Sequence, residues 1–144
     1  MKKSKYVLFG LAASAVLLAS GCSAREAKLV CTQTASGVDI TFNIGFKGST
    51  IKTMDFGYDM DLSKYSDAQI SSVEKQDFCN IVKKSMSEYK DAFTDCQQKV
   101  VSKHLKVDSV LDVNKIAKNM LDKMGTPEAT KKELEKQGYK CTIK

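Results

Sequence analysis

The chain reads as an α+β domain, a single mostly antiparallel sheet of about six strands with helices packed on one face. Three observations lead there. Two long runs alternate apolar and polar residues across a glycine-containing turn, and the apolar spacing then lengthens from two to three and four at Ser66. A second pair of alternating runs and two more helical stretches follow, and alternation returns at Tyr139, Cys141 and Ile143 to close the chain. The succession is therefore three strands, a helix, two strands, two helices and a strand.

The first strand is expected over residues 28–34, ending at Ser36 and Gly37. In the second, Val38, Ile40, Phe42, Ile44 and Phe46 alternate with Asp39, Thr41, Asn43 and Gly45, so one face is apolar and the other wet. Lys47, Gly48 and Ser49 turn the chain, and Met54, Phe56, Tyr58, Met60 and Leu62 resume the alternation, making a long hairpin. Ile70, Val73, Phe78, Ile81, Val82, Met86 and Tyr89 then predict one amphipathic helix over residues 67–89 with Ser66 as its N-cap, lying on the apolar face of the hairpin. Residues 94–103 and 105–111 read as a second strand pair, with Leu105, Val107 and Leu111 facing inward. Ile116, Met120 and Met124 mark a helix over residues 112–124, ended by Gly125. Thr126, Pro127 and Glu128 supply a capping hydroxyl, a proline at the first helical position and an acid in the positive first turn, so a last helix starts there and runs to Gly138.

Ahead of this domain stand Lys2, Lys3 and Lys5, then an apolar run from Tyr6 to Leu18, then Ala19, Ser20, Gly21 and Cys22. Basic head, apolar middle and small residues ending on cysteine form the pattern of a bacterial lipoprotein signal. Residues 1–21 are expected to be cleaved, leaving Cys22 to carry an S-diacylglycerol and an N-acyl chain, residues 22–27 as lipidated N-terminus and tether, and residues 28–144 as the domain. A retained transmembrane helix is the alternative, since no charge falls within residues 6–24. Gly10, Ser14, Ser20 and Gly21 dilute that run, and its apolar core suits a signal better. The expected location is the cell envelope, on the extracytoplasmic side of the membrane whose lipid the acylated Cys22 would enter.

Cleavage would remove three lysines and no acid, lowering the charge from +6 to +3 over 123 residues. Half of the basicity thus belongs to the signal. Scattered lysines on such a domain argue against nucleic acid as a partner, and one domain of this length can bury a core without a metal. Besides the lipidated Cys22, four cysteines remain in the mature chain, Cys31, Cys79, Cys96 and Cys141, and their even number in an exported protein predicts two disulfides. Three connectivities exist. Cys31 and Cys141 face inward from the first and last strands, so they can bridge if those strands are neighbours. Cys79 on the helix and Cys96 on the following strand form the complementary pair. Four reduced buried thiols are the alternative to bridges.

No catalytic, metal or cofactor signature is present. CxxC is absent and His104 is the single histidine, which rules out the usual zinc spacings. Asp59, Asp61 and Ser63 resemble the start of a calcium loop, but Lys64 stands where glycine is needed and Ile70 where glutamate is needed. Asp55, Asp59 and Asp61 share one strand face at about 7 Å per step, and are read as a solvated face with paired-carboxylate chemistry as the alternative. His104 is expected in an exposed turn.

The cysteine-terminated signal, GVDITFNIGFKGSTIKT (residues 37–53), KVVSKHLKVDSVLDVNKI (residues 99–116) and ELEKQGYKCTIK (residues 133–144) together carry a likeness that spans the mature chain. In these segments the chain resembles the YehR-like lipoproteins, a family of small bacterial envelope lipoproteins. The resemblance implies a curved sheet of about six strands with helices against it and a lipid-anchored envelope protein, and it brings no catalytic residues. The four domain cysteines are not part of that pattern, so the bridges rest on compartment and geometry. The expected function is that of a non-enzymatic module binding a small ligand, an envelope polymer or another protein through the wet face or an open edge of its sheet. The alternatives are an enzyme using the Asp55, Asp59 and Asp61 row, a thiol–disulfide protein, and an assembly subunit of an envelope complex.

Overall fold

Period-two alternation in this chain builds six strands that join in one antiparallel sheet. The structure, a computed structural model, describes residues 25–144. The expected signal, Cys22 and the start of the tether lie outside the described residues. Strands β1 (Glu26–Ala35), β2 (Val38–Lys47) and β3 (Thr50–Asp61) are followed by helices α1 (Asp67–Glu74) and α2 (Phe78–Ser85). Strands β4 (Phe93–Val101) and β5 (His104–Leu111), helices α3 (Lys118–Met124) and α4 (Pro127–Lys136), and strand β6 (Lys140–Ile143) complete the order. The strands lie side by side as β4-β5-β3-β2-β1-β6.

The β1–β2 turn follows the twist of the strands it joins. Ser36 and Gly37 both take positive φ between β1 and β2, matching the primed turns that follow the twist of paired strands. In β5 the alternation is complete: Leu105, Val107, Ser109 and Leu111 are buried, while Lys106, Asp108 and Val110 are exposed. The buried set joins Leu29, Cys31, Ile44, Phe46, Met54 and Phe56 from the other strands with Val82 from α2 and Leu62, Ala92 and Ile116 from the connections. Ile70, Val73, Phe78, Met120, Met124 and Leu134 from the helices pack against this core.

Several expected boundaries move. Strand β1 begins earlier than expected, because Glu26 and Ala27 already pair with Lys47 and Phe46 in the sheet. The helix expected over residues 67–89 is broken into α1, α2 and a 3-10 turn at Ser87–Tyr89. Two caps explain the break. Ser66 and Gln69 form a reciprocal capping box at α1, and Asp77 accepts a hydrogen bond from the Asn80 amide at 2.9 Å, starting α2 afresh. Rotation at this break leaves Ile81, expected on the buried stripe, 49% exposed. The helix expected over residues 112–124 likewise divides into a 3-10 turn at Val113–Lys115 and α3, because Asp112 turns back to accept from the Asn114 amide. His104 opens β5 instead of sitting in a turn, and the turn itself is Ser102 and Lys103.

Candidate functional site

The alternation of β2 and β3 places Phe42, half-buried, and Met54, buried, on the apolar face of the sheet. A cleft of about 360 Å³ opens there. Its lining includes Phe42 and Met54 from the sheet, Met86 and Tyr89 after α2, Met120 and Met124 from α3, Leu134 from α4 and Tyr139. Met120 and Met124 are four apart and so share one helix face. The end of α3 is held where Gly125 takes φ 68 and Thr130 donates its hydroxyl to the Met124 carbonyl at 2.7 Å. Phe42 packs edge-on against Tyr139 with ring centroids 5.6 Å apart, and against Phe56 at 5.1 Å. Thioethers and aromatic rings thus form a deformable apolar lining, and Glu88, Lys123, Glu133 and Gln137 add polar groups to it.

Electrostatics agree with a lining that is partly withdrawn from water. Burial pushes the Tyr89 phenol above its ordinary value, with the Glu88 carboxylate adding to the shift, and burial alone raises Tyr139. Both phenols stay protonated as neutral donors at physiological pH. An apolar concavity with a few polar groups at its margin is the usual form of a small-ligand site.

The opposite face of the sheet carries a wider polar trough of about 700 Å³, lined among others by Asp55, Asp59, Asp95, Asp108, Lys99 and Lys106. Here the aspartate row divides. Asp59 meets His104 Nδ1 at 2.7 Å through Oδ1 and Lys106 Nζ at 3.8 Å through Oδ2. Asp61 accepts instead from the Ser63 amide at 2.8 Å, a bond that holds its carboxyl below the usual range. Asp59 and Asp61 thus serve separate partners. Among the described residues no group of three His, Cys, Asp or Glu side chains is placed to hold a metal. No described helix is long and apolar enough to cross a membrane.

The four cysteines form two disulfides, Cys31–Cys141 between β1 and β6 and Cys79–Cys96 between α2 and β4. In the first, the two residues face each other directly in the antiparallel register, with Cα atoms 4.1 Å apart. The second has Cα atoms 5.8 Å apart. Cys22 lies outside the described residues. Sequence reasoning placed Met54, Met86, Met120 and Met124 in the core without bringing them together. The four-residue spacing of Met120 and Met124 was the available signal, but it does not say which strand they face. The Asp59–His104 contact, between residues 45 apart, was missed because it depends on the pairing of β3 with β5.

Among known proteins, no family model matches the chain and no curated sequence does. Among solved structures the chain is similar to the NMR structure of a protein from Streptococcus pneumoniae TIGR4, with a TM-score of 0.50. The sequences are 16% identical, and the match covers 82% of this chain and 86% of that one. At this identity the likeness concerns the fold, a mixed α+β arrangement with one antiparallel sheet of six strands.

Proposed function

We propose that this chain is a lipid-anchored envelope lipoprotein of the YehR-like kind, a non-enzymatic binding module that takes a small apolar ligand in the methionine-lined cleft. The cleft is the observation that carries the reading, because it pairs apolar walls with a polar margin at a volume suited to a small molecule. The arrangement drawn on is the one the resemblance implies, a curved sheet with its helices gathered over one face, so that the binding space lies between the two layers. Cys22, as residue one of the mature chain with its acyl groups, would hold this module at a membrane on the extracytoplasmic side, and two disulfides suit that oxidising compartment.

The methionine methyl groups offer a direct test. The purified protein, isotope-labelled at its backbone amides and its methionine methyls, is titrated with the amphiphilic fluorophore anilinonaphthalene sulfonate and followed by NMR. Met54, Met86, Met120 and Met124 are expected to shift together while Met60, which is not part of the cleft lining, stays in place. Met120→Arg should abolish the response. Shifts confined to the amides of Gln97, Asp108 and Val110 would move the binding site to the polar trough and defeat the proposal.

A further inference from the structure

The end of the sheet where β1 begins is strongly cationic, and that end is where the expected anchor joins. Lys28, Lys47, Lys52 and Lys144 line a single shallow depression on the open face with Glu26 and Asp55 as its acids. Arg25 adds a fifth cation, because its carbonyl accepts a hydrogen bond from the Gly48 amide at 2.8 Å, beside the turn that follows Lys47. The backbone fixes this grouping. Lys28 and Lys144 exchange two backbone hydrogen bonds at 3.0 and 2.8 Å, and Lys47 is the register partner of both Glu26 and Thr50. All five cations are exposed, and none forms an ion pair within the described residues.

The four lysines, with Arg25 close by in the chain, outnumber the two acids of the depression and repel one another, so their energy falls when an anion approaches. Chain length limits how far away that anion can be. Cys22 is three residues from Arg25, a separation that a fully extended chain spans with about 11 Å. This distance is close to the screening length of roughly 8 Å at physiological ionic strength. A lipid on Cys22 therefore keeps the cationic end within electrostatic reach of the bilayer surface.

We infer that this end of the sheet is a docking surface for anionic phospholipid headgroups, which turns the domain so that its β1 and β2–β3-turn end meets the membrane. The cleft between sheet and helices then stays accessible from the aqueous side. The inference rests on lipidation of Cys22, and its test separates the two.

The mature full-length protein is incorporated into vesicles of phosphatidylcholine alone and of equal parts phosphatidylcholine and phosphatidylglycerol. Each lysine is then scored by mass spectrometry for its rate of reaction with an amine-modifying reagent. Lys28, Lys47, Lys52 and Lys144 are expected to react about fivefold more slowly on the anionic vesicles, with the difference lost in high salt. The helix lysines Lys83, Lys84 and Lys132 should react equally on both. In a Lys28→Glu, Lys47→Glu, Lys52→Glu protein with both disulfides intact, Lys144 should lose its protection. Equal rates on both vesicles, from protein whose Cys22 carries its acyl chains, would overturn the docking surface and leave the anchor standing. Protection on neutral vesicles by a soluble anionic polymer but not by phosphatidylglycerol would overturn lipid as the occupant. Protein that begins at Met1 or carries no fatty acid would overturn the anchor itself, and the inference with it.

Discussion

Gln98 decides how the helices meet the edge of the sheet. Its Oε1 accepts from the Phe78 and Cys79 amides at 2.8 and 3.3 Å, while its Nε2 donates to the Gln76 carbonyl at 2.7 Å. One side chain thus satisfies three backbone groups at the joint between α1 and α2, two of them first-turn donors that no helix can satisfy internally. Gln98→Ala is expected to cost about 1 to 3 kcal/mol, read as a lower urea midpoint with an unchanged slope. Gln98→Glu, which keeps the acceptor and loses the donor, should fall between the two. Nothing in the sequence flagged this residue. A glutamine in an alternating strand is indistinguishable from a solvated one until the chain 20 residues earlier has been folded against it. The same limit hid the Asp59–His104 contact, since both residue types are common on a wet face.

At the scale of elements, the strands were legible and the helices only partly so. Alternation is a local property, and β2 and β3 show it through most of their length. The break between α1 and α2 carries no glycine or proline, so spacing alone ran the two together. Asp77 was its one local mark, as a capping residue. The β4–β5 turn is a further case in which local chemistry and observed structure disagree. Ser102 and Lys103 adopt φ of 53° and 59°, conformations that cost a residue with a Cβ and that asparagine and glycine accept readily. Turn residues of this kind were not visible as a turn signal, which is why the expected strand ran on to residue 103. Ser102→Asn with Lys103→Gly is expected to stabilise the protein by about 1 kcal/mol. Thermal unfolding of the double variant should show the higher midpoint, because the Lys103 carbonyl that receives the Leu62 amide at 2.8 Å is retained.

At the scale of the whole molecule, strand order was the least legible feature. β3 lies beside β5, and β1 beside β6, so the sheet joins segments that are distant in the chain. Only the inward-facing Cys31 and Cys141 hinted at one of those neighbours, and their bridge encloses a separation of 110 residues against 17 for Cys79–Cys96. Loop-closure entropy makes the long bridge the more stabilising, at about 4 to 5 kcal/mol against about 3 for the short one. Replacing Cys31 and Cys141 by alanine should lower the urea midpoint more than replacing Cys79 and Cys96. Burial separates the two bridges as well. Cys31 is fully buried and only its partner Cys141 is partly accessible, whereas Cys79 and Cys96 are both partly accessible, so mild reductant should open the Cys79–Cys96 bridge first. Peptide mapping after partial reduction and alkylation reads that order directly.

The Cys31–Cys141 bridge also governs how the domain bears mechanical load. Tension applied between the two ends of the described chain would travel along β1 only as far as Cys31, cross the sulfur link to Cys141 and leave through the last three residues. The intervening loop lies off the force path, so stretching could peel short segments of the outer strands without unravelling the core. Under such a pull the domain would keep its cleft intact where an uncrosslinked sheet would unzip.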